Sequence, residues 1–142
     1  YIWESGWEFG KLDPQDGKSK FGIQITPLFE YLRNSPNASV YVRRLEKGMI
    51  RPNQLLNVHK IVYDKPYDVN PIDWIGAAFR KTIFPRQTRR FWCSAFVTFI
   101  LVQLQFVSEA TNWDIIRPCD LSCLSNELCF TNCSYSKDER IL

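Results

Sequence analysis

The residue of this chain best suited to chemistry is Cys93, in the stretch RRFWCSAFVTFIL from Arg89 to Leu101. A thiol attacks a carbonyl as its thiolate, so a nucleophilic cysteine needs surroundings that favour the anion. The unpaired N–H groups of a helix N-terminus offer such surroundings. The apolar run predicts a helix from about Trp92 to Val107, which puts Cys93 near its start, just after two arginines. The backbone N–H of such a residue can also stabilise an oxyanion. The apolar remainder, Ala95 to Val107, would anchor the helix in the core and hold the thiol in one place. A free cysteine used as a small hydrophobe is the plain alternative.

The groups that could assist are few. The one histidine, His59, falls on the flank of an amphipathic helix expected over Pro52 to Tyr63, where a surface or half-buried imidazole is ordinary. Trp92 and Tyr67 are candidates for lining a substrate cleft, although a chain with five tryptophans must also bury several aromatic rings. Four further cysteines crowd the tail with spacings C-x3-C-x5-C-x3-C: Cys119, Cys123, Cys129 and Cys133. These spacings fit structural zinc only loosely, and two disulfides or free thiols remain open. No metal or other cofactor is assigned.

The elements that must position these residues can be traced along the chain. Tyr1 to Trp7 reads as the inside or end of a strand followed by a turn at Gly6, and the chain is expected to begin partway into its domain. A turn-rich loop, DPQDGKSK, leads to a strand at FGIQI and a helical turn over Pro27 to Arg33, broken by Asn34 to Asn37. SVYVRRL alternates as a strand. After the Pro52–Tyr63 helix comes an extended DKPYDV, where Pro66 disfavours helical geometry in the residue before it. A second helix is expected over Asp73 to Phe84, with Ile75, Phe79 and Ile83 on one face and Pro85 ending it. NWDIIRPCDLS is expected to hold a short strand that turns at Pro118. One central helix, a sheet and peripheral helices describe an α+β domain.

Composition excludes some functions. With 45% hydrophobic and 15% aromatic residues, the chain can bury a real core and is not a disordered segment. A net charge of +3, spread evenly over 18 basic and 15 acidic residues, gives no footprint for nucleic acid. The uncharged run Phe91 to Ser108 is short for a membrane span and carries Gln103 and Gln105, so a buried helix is expected and no membrane span. No secretory signal is visible, which suits an intracellular or virion-associated protein. The Asn-x-Ser sequons at Asn37 and Asn132 are then chance.

FWCSAFVTFIL resembles the cysteine motif of the permuted papain-fold cysteine peptidases, the NlpC-like superfamily, and within it the branch of bacterial YiiX-type proteins and poxvirus relatives. KPYD at Lys65 to Asp68 resembles the Gly-x-x-Tyr-Asp segment ahead of the family's cysteine helix, and matches Tyr67 to its tyrosine. WDIIRPCDL, Trp113 to Leu121, resembles the strand and turn after it, while IWES and VYVRRL resemble the strands before. The resemblance covers Ile2 to Leu121 and implies a circularly permuted papain-like domain over residues 1–121. The central apolar helix would pack on a small antiparallel sheet or barrel, and a cysteine-rich tail would follow over 122–142. It also implies attack by Cys93 on an amide or ester bond through an acyl-enzyme, the substrate being a peptide or an acyl-bearing molecule. The family pairs its cysteine with a histidine on an upstream strand, typically H-V-G-I, and no such motif is present. His59 and, as a residue orienting an imidazole, Glu4 are the weak stand-ins. The alternative is a catalytically silent member that binds neighbouring structural proteins, for example in a large DNA virus particle.

Overall fold

The computed structural model describes residues 1–7, 10–33, 38–81, 87–141. The expected breaker at 34–37 with its sequon, residues 82–84 of the second helix and the proline at 85 expected to end it lie outside them. Strand β1 (Ile2–Trp7) pairs antiparallel with β2 (Phe21–Thr26) in the register Ile2↔Thr26 to Trp7↔Phe21, so continuous strand replaces the turn expected at Gly6. The loop between them is organised by a buried carboxylate. Asp13, 1% exposed, accepts hydrogen bonds from the Gln15 N–H (2.9 Å), the Lys20 ammonium (2.9 Å) and the Ile25 N–H (3.3 Å).

The other edge of β2 takes up the KPYD segment. The Ile23 N–H donates to the Lys65 carbonyl (2.9 Å) and the Tyr67 N–H to the Phe21 carbonyl (3.0 Å). Phe91 continues the pairing: its N–H donates to the Pro66 carbonyl (3.2 Å), and its carbonyl accepts from the Asp68 N–H (3.1 Å). The sheet curls enough for the Ser5 hydroxyl of β1 to reach the same Phe91 carbonyl at 2.7 Å. Gly22 makes this possible, because a Cβ there would lie 2.3 Å from the Lys65 carbonyl oxygen.

Four helices stand among the described residues. Helix α1 (Leu28–Arg33) is one short segment after Pro27. Helix α2 (Pro52–Val62) starts with proline at its first position and buries Val58 and Val62. Helix α3 (Pro71–Ala78) is capped by Asn70, whose side-chain oxygen accepts from the Ile72 N–H at 3.1 Å. It is shorter than the sequence pattern predicts. Arg80 turns into left-handed geometry (φ 53°), and Ile75 and Phe79 stand 51% and 73% exposed rather than forming a core face.

Helix α4 (Cys93–Gln103) is buried nearly all round, as its uniformly apolar sequence requires. Its two polar interior residues are satisfied locally. The Ser94 hydroxyl donates to the Ile116 carbonyl (2.6 Å) and the Thr98 hydroxyl to the Ser94 carbonyl (2.9 Å). The helix stops before the expected Val107, because Gln105 adopts left-handed geometry (φ 60°). Phe106 and Val107 remain buried, and the Phe106 carbonyl accepts from the Thr131 N–H at 3.0 Å. Rings pack around the helix: Phe91 lies 5.1 Å from Phe99 and 5.4 Å from Trp113, and Trp3 of β1 meets Phe96 edge-on at 5.2 Å.

The expected strand after Asn112 is instead two 3-10 turns, Trp113–Ile115 and Pro118–Leu121. Pro118 suits the first position of the second turn, and the Asp120 carboxylate accepts the Arg117 N–H at 2.9 Å. A carboxylate three residues beyond a turn's start favours this closed geometry over an extended one.

The expected strand in SVYVRRL is two short ones, β3 (Tyr41–Val42) and β4 (Leu45–Glu46). The cysteine-rich segment closes onto them. Strand β5 (Ser134–Tyr135) pairs with β4, and β6 (Glu139–Arg140) pairs with β3, both antiparallel. Leu128 is buried, and Phe130, Cys133 and Tyr135 pack against the core. The result is a mixed α+β structure with small antiparallel sheets around one buried helix. No helix among the described residues is long and apolar enough to cross a membrane.

Candidate active site

Cys93 is the first residue of α4, and its side chain is exposed. Trp92, at the N-cap, makes no side-chain capping bond. The first-turn N–H groups of α4 therefore face the site without a cap side chain of their own. Tyr67 reaches this point from the extended KPYD segment. Its phenol lies close enough to Cys93 for the two to interact electrostatically. Burial pushes the Tyr67 phenol above its ordinary value, and the Cys93 sulfur beside it adds to the rise. The phenol therefore keeps its proton at neutral pH. Its ring is held by stacking on Phe21 at 5.2 Å.

These residues open onto a groove of about 290 Å³. Trp74, Ala77 and Ala78 of α3 line it together with Trp92, Cys93 and Ser94 at the start of α4. Tyr67 and the Arg117–Pro118 turn complete it. The lining is mostly apolar. Its one cation, Arg117, is turned onto Asp120, with Nε 3.3 Å from one carboxylate oxygen and NH2 3.3 Å from the other. Asp120 is 4% exposed and also holds Arg80 at 3.0 Å. Burial works against its charge, yet the Arg117 hydrogen bonds and both guanidinium charges keep its carboxyl below the ordinary range. This lock fixes the Arg117–Pro118 wall to the end of α3. Arg80 continues it to Glu127 at 2.9 Å.

A second cavity, about 270 Å³, shares Trp92 with the groove and mixes charged and aromatic residues. Asp68, Asp73 and Arg90 stand at its rim. Arg90 Nε lies 3.2 Å from Asp68 and its NH2 lies 3.6 Å from Asp73. Burial pushes the Asp68 carboxyl above its ordinary value; Arg90 opposes this and the neighbouring Asp73 reinforces it.

The structure brings together Cys93, Tyr67 and Trp92 and leaves the other two sequence candidates elsewhere. Glu4 accepts hydrogen bonds from Thr26 (2.5 Å) and Gln24 (3.4 Å) across the β1–β2 pair. His59 shares a hydrogen bond with Gln15 (2.7 Å) and lies between the rings of Trp3 (5.7 Å) and Tyr63 (5.4 Å). Neither lines the groove. All five thiols are free, and among the described residues no group of three or more histidine, cysteine or acidic side chains is placed to hold a metal. Sequence reasoning missed Trp74, Arg117 and Asp120. The signal for the last two was the Arg-Pro-x-Asp spacing, which reads as a capped turn. In comparisons with known proteins, no family model, curated protein or solved structure matches this chain.

Proposed function

We propose that this chain is a thiol-dependent hydrolase or acyltransferase with a permuted papain-like arrangement, working through an acyl-enzyme on Cys93. The observation that carries the reading is the placement of Cys93: exposed, first in a buried helix, and beside the Tyr67 phenol in the lining of a groove. A rigid helix start supplies positive potential and a backbone donor at the sulfur. Tyr67 supplies a second donor for the carbonyl oxygen as it becomes an anion. The resemblance of FWCSAFVTFIL to the NlpC-like cysteine motif supports the same assignment.

A second reading has its own observation. The single histidine is engaged with Gln15, Trp3 and Tyr63, away from the groove. That favours a catalytically silent member whose groove binds without reacting. A reactive ester separates the two. The full chain is treated with p-nitrophenyl acetate, and adducts are located by peptide mass spectrometry. Cys119, Cys123 and Cys129 are also exposed and act as internal controls. The catalytic reading expects Cys93 to acylate at least about tenfold faster than these three, the effect of roughly 1.4 kcal/mol on a barrier. Equal rates would leave the silent reading.

A further inference from the structure

We propose that the groove beside Cys93 receives the saturated acyl chain of a thioester, and that Cys93 takes this acyl group by thiol–thioester exchange. The inference rests on the acyl-enzyme reading above and names its substrate class.

Three observations carry it. The first is the lining. Trp74, Trp92 and Pro118 line apolar space, and Ala77 and Ala78 leave room for a chain in the same groove as the thiol. A volume of about 290 Å³ is at the lower edge of small-molecule pockets, which run from roughly 300 to 1,000 Å³.

The second is what the walls lack. A peptide lying in a cleft needs partners for its own N–H and C=O groups, and a sheet edge commonly provides them. Here the groove is lined in part by helix α3, whose backbone groups are largely spent inside the helix. Burying unpaired amides against alanine and tryptophan would cost free energy. An alkyl chain makes no such demand. Beside the Trp74–Ala78 ridge of α3 runs a second ridge, Ile75 and Phe79, 51% and 73% exposed, so apolar surface continues past the mouth of the groove.

The third is the leaving group. Expelling an amine requires a proton donor at nitrogen, and no imidazole lines the groove. A thiolate leaves without one. The step balances as an exchange. The Cys93 sulfur bonds to the carbonyl carbon, and the tetrahedral oxyanion faces the Cys93 N–H and the Tyr67 hydroxyl. The bond to the donor sulfur then breaks, and the proton of Cys93 ends on the departing thiol. No oxidant or reductant enters. Water or an acceptor nucleophile then releases the acyl group and restores the thiol.

The test uses octanoyl and acetyl thioesters of N-acetylcysteamine with the full chain, reading the rate of S-acylation at Cys93 by intact and peptide mass spectrometry. The proposal expects octanoyl transfer to exceed acetyl transfer by at least about tenfold, since even one methylene in an apolar pocket is worth roughly that factor. Ala78→Trp fills the groove from an exposed helical position, and Ala78→Leu is the milder variant. Both should lower the octanoyl-to-acetyl ratio, with α-helical circular dichroism unchanged. Equal rates for the two thioesters would overturn the chain assignment while leaving the nucleophile standing. No adduct from either thioester, with p-nitrophenyl acetate still acylating Cys93, would overturn the thioester assignment alone. No adduct from any of the three reagents would overturn the acyl-enzyme reading beneath it.

Discussion

Replacing Asp120 tests whether one buried carboxylate holds both the fold and the groove wall. It accepts from the Arg117 N–H at 2.9 Å, from the Arg117 side chain at 3.3 Å and from Arg80 at 3.0 Å, while only 4% exposed. The Arg80 and Arg117 side chains are 34% and 36% exposed, so each guanidinium can recover water when its partner is removed. The loss in Asp120→Ala is therefore the cap, about 1 kcal/mol, plus about 1–2 kcal/mol for the charge-assisted bond to Arg80. The total, about 2–3 kcal/mol, corresponds to a fall of roughly 6–10 °C in Tm for a chain of this size. Asp120→Asn keeps an acceptor for the Arg117 N–H and should lose about half as much. The sign of the pH dependence follows from a carboxyl held below its ordinary value in the folded state. Its stabilisation is full above the unfolded value and is lost as pH falls through the folded one. The difference between thermal melts of wild type and Asp120→Ala should therefore be largest at pH 7 and narrow as the pH falls below the ordinary carboxylate range. Loosening the Arg117–Pro118 wall should also slow S-acylation of Cys93. A Tm within about 2 °C of wild type at pH 7 would refute the lock.

Three further outcomes are expected. Tyr67→Phe keeps the stacking on Phe21 but removes the hydroxyl at Cys93, so S-acylation should fall about tenfold with Tm nearly unchanged; an unchanged rate would remove Tyr67 from the site. Gly22→Ala forces a Cβ to 2.3 Å from the Lys65 carbonyl oxygen and 2.8 Å from the Pro66 Cα, so it should cost at least about 2 kcal/mol in denaturant melts and displace Tyr67 from Cys93. Lys20→Met leaves Asp13, whose side chain is fully buried, without its cation, and should destabilise by about 3 kcal/mol. In the wild type the hydrogen bond from Lys20 holds the Asp16 carboxyl down to about 2, so this contribution is present above the ordinary 3.8 and is lost as pH falls towards 2. Acid titration should show that limb in the wild type and a weaker one in Lys20→Met.

The parts of the fold legible in the sequence are those governed by local pattern. Strands β1 and β2, the start of α2 at Pro52 and the start of α4 at Cys93 each follow from alternation, a proline or an apolar run. The misplaced ends follow from conformations that composition does not announce. Arg80 and Gln105 take left-handed geometry without being glycine, and each closes a helix earlier than the apolar pattern suggests. The Trp113–Leu121 stretch has the β-branched residues of a strand, but the Asp120 carboxylate captures the Arg117 N–H and turns the chain. At the site, Cys93, Tyr67 and Trp92 were readable from motif and position. Trp74 was not, because its place in the groove depends on how α3 packs against the Trp113–Ile115 turn, a tertiary fact. A glycine inside FGIQI was the overlooked signal for the close approach that delivers Tyr67.

The pairing of β3 with β6 and of β4 with β5 has a bearing on biosynthesis. Tyr41 finds its partner at Arg140 and Leu45 at Tyr135, so neither short strand can be satisfied while the intervening chain is still being made. Loop closure over such a separation must be accomplished before these contacts return anything, which places them late in folding. Until then the underside of α4 near Phe106 and Val107 lacks the cover that Leu128 and Phe130 later provide. A nascent chain halted after α4 would thus carry Cys93 on a helix whose far end is still bare. Ribosome-stalled intermediates of that length are where chaperone binding should concentrate.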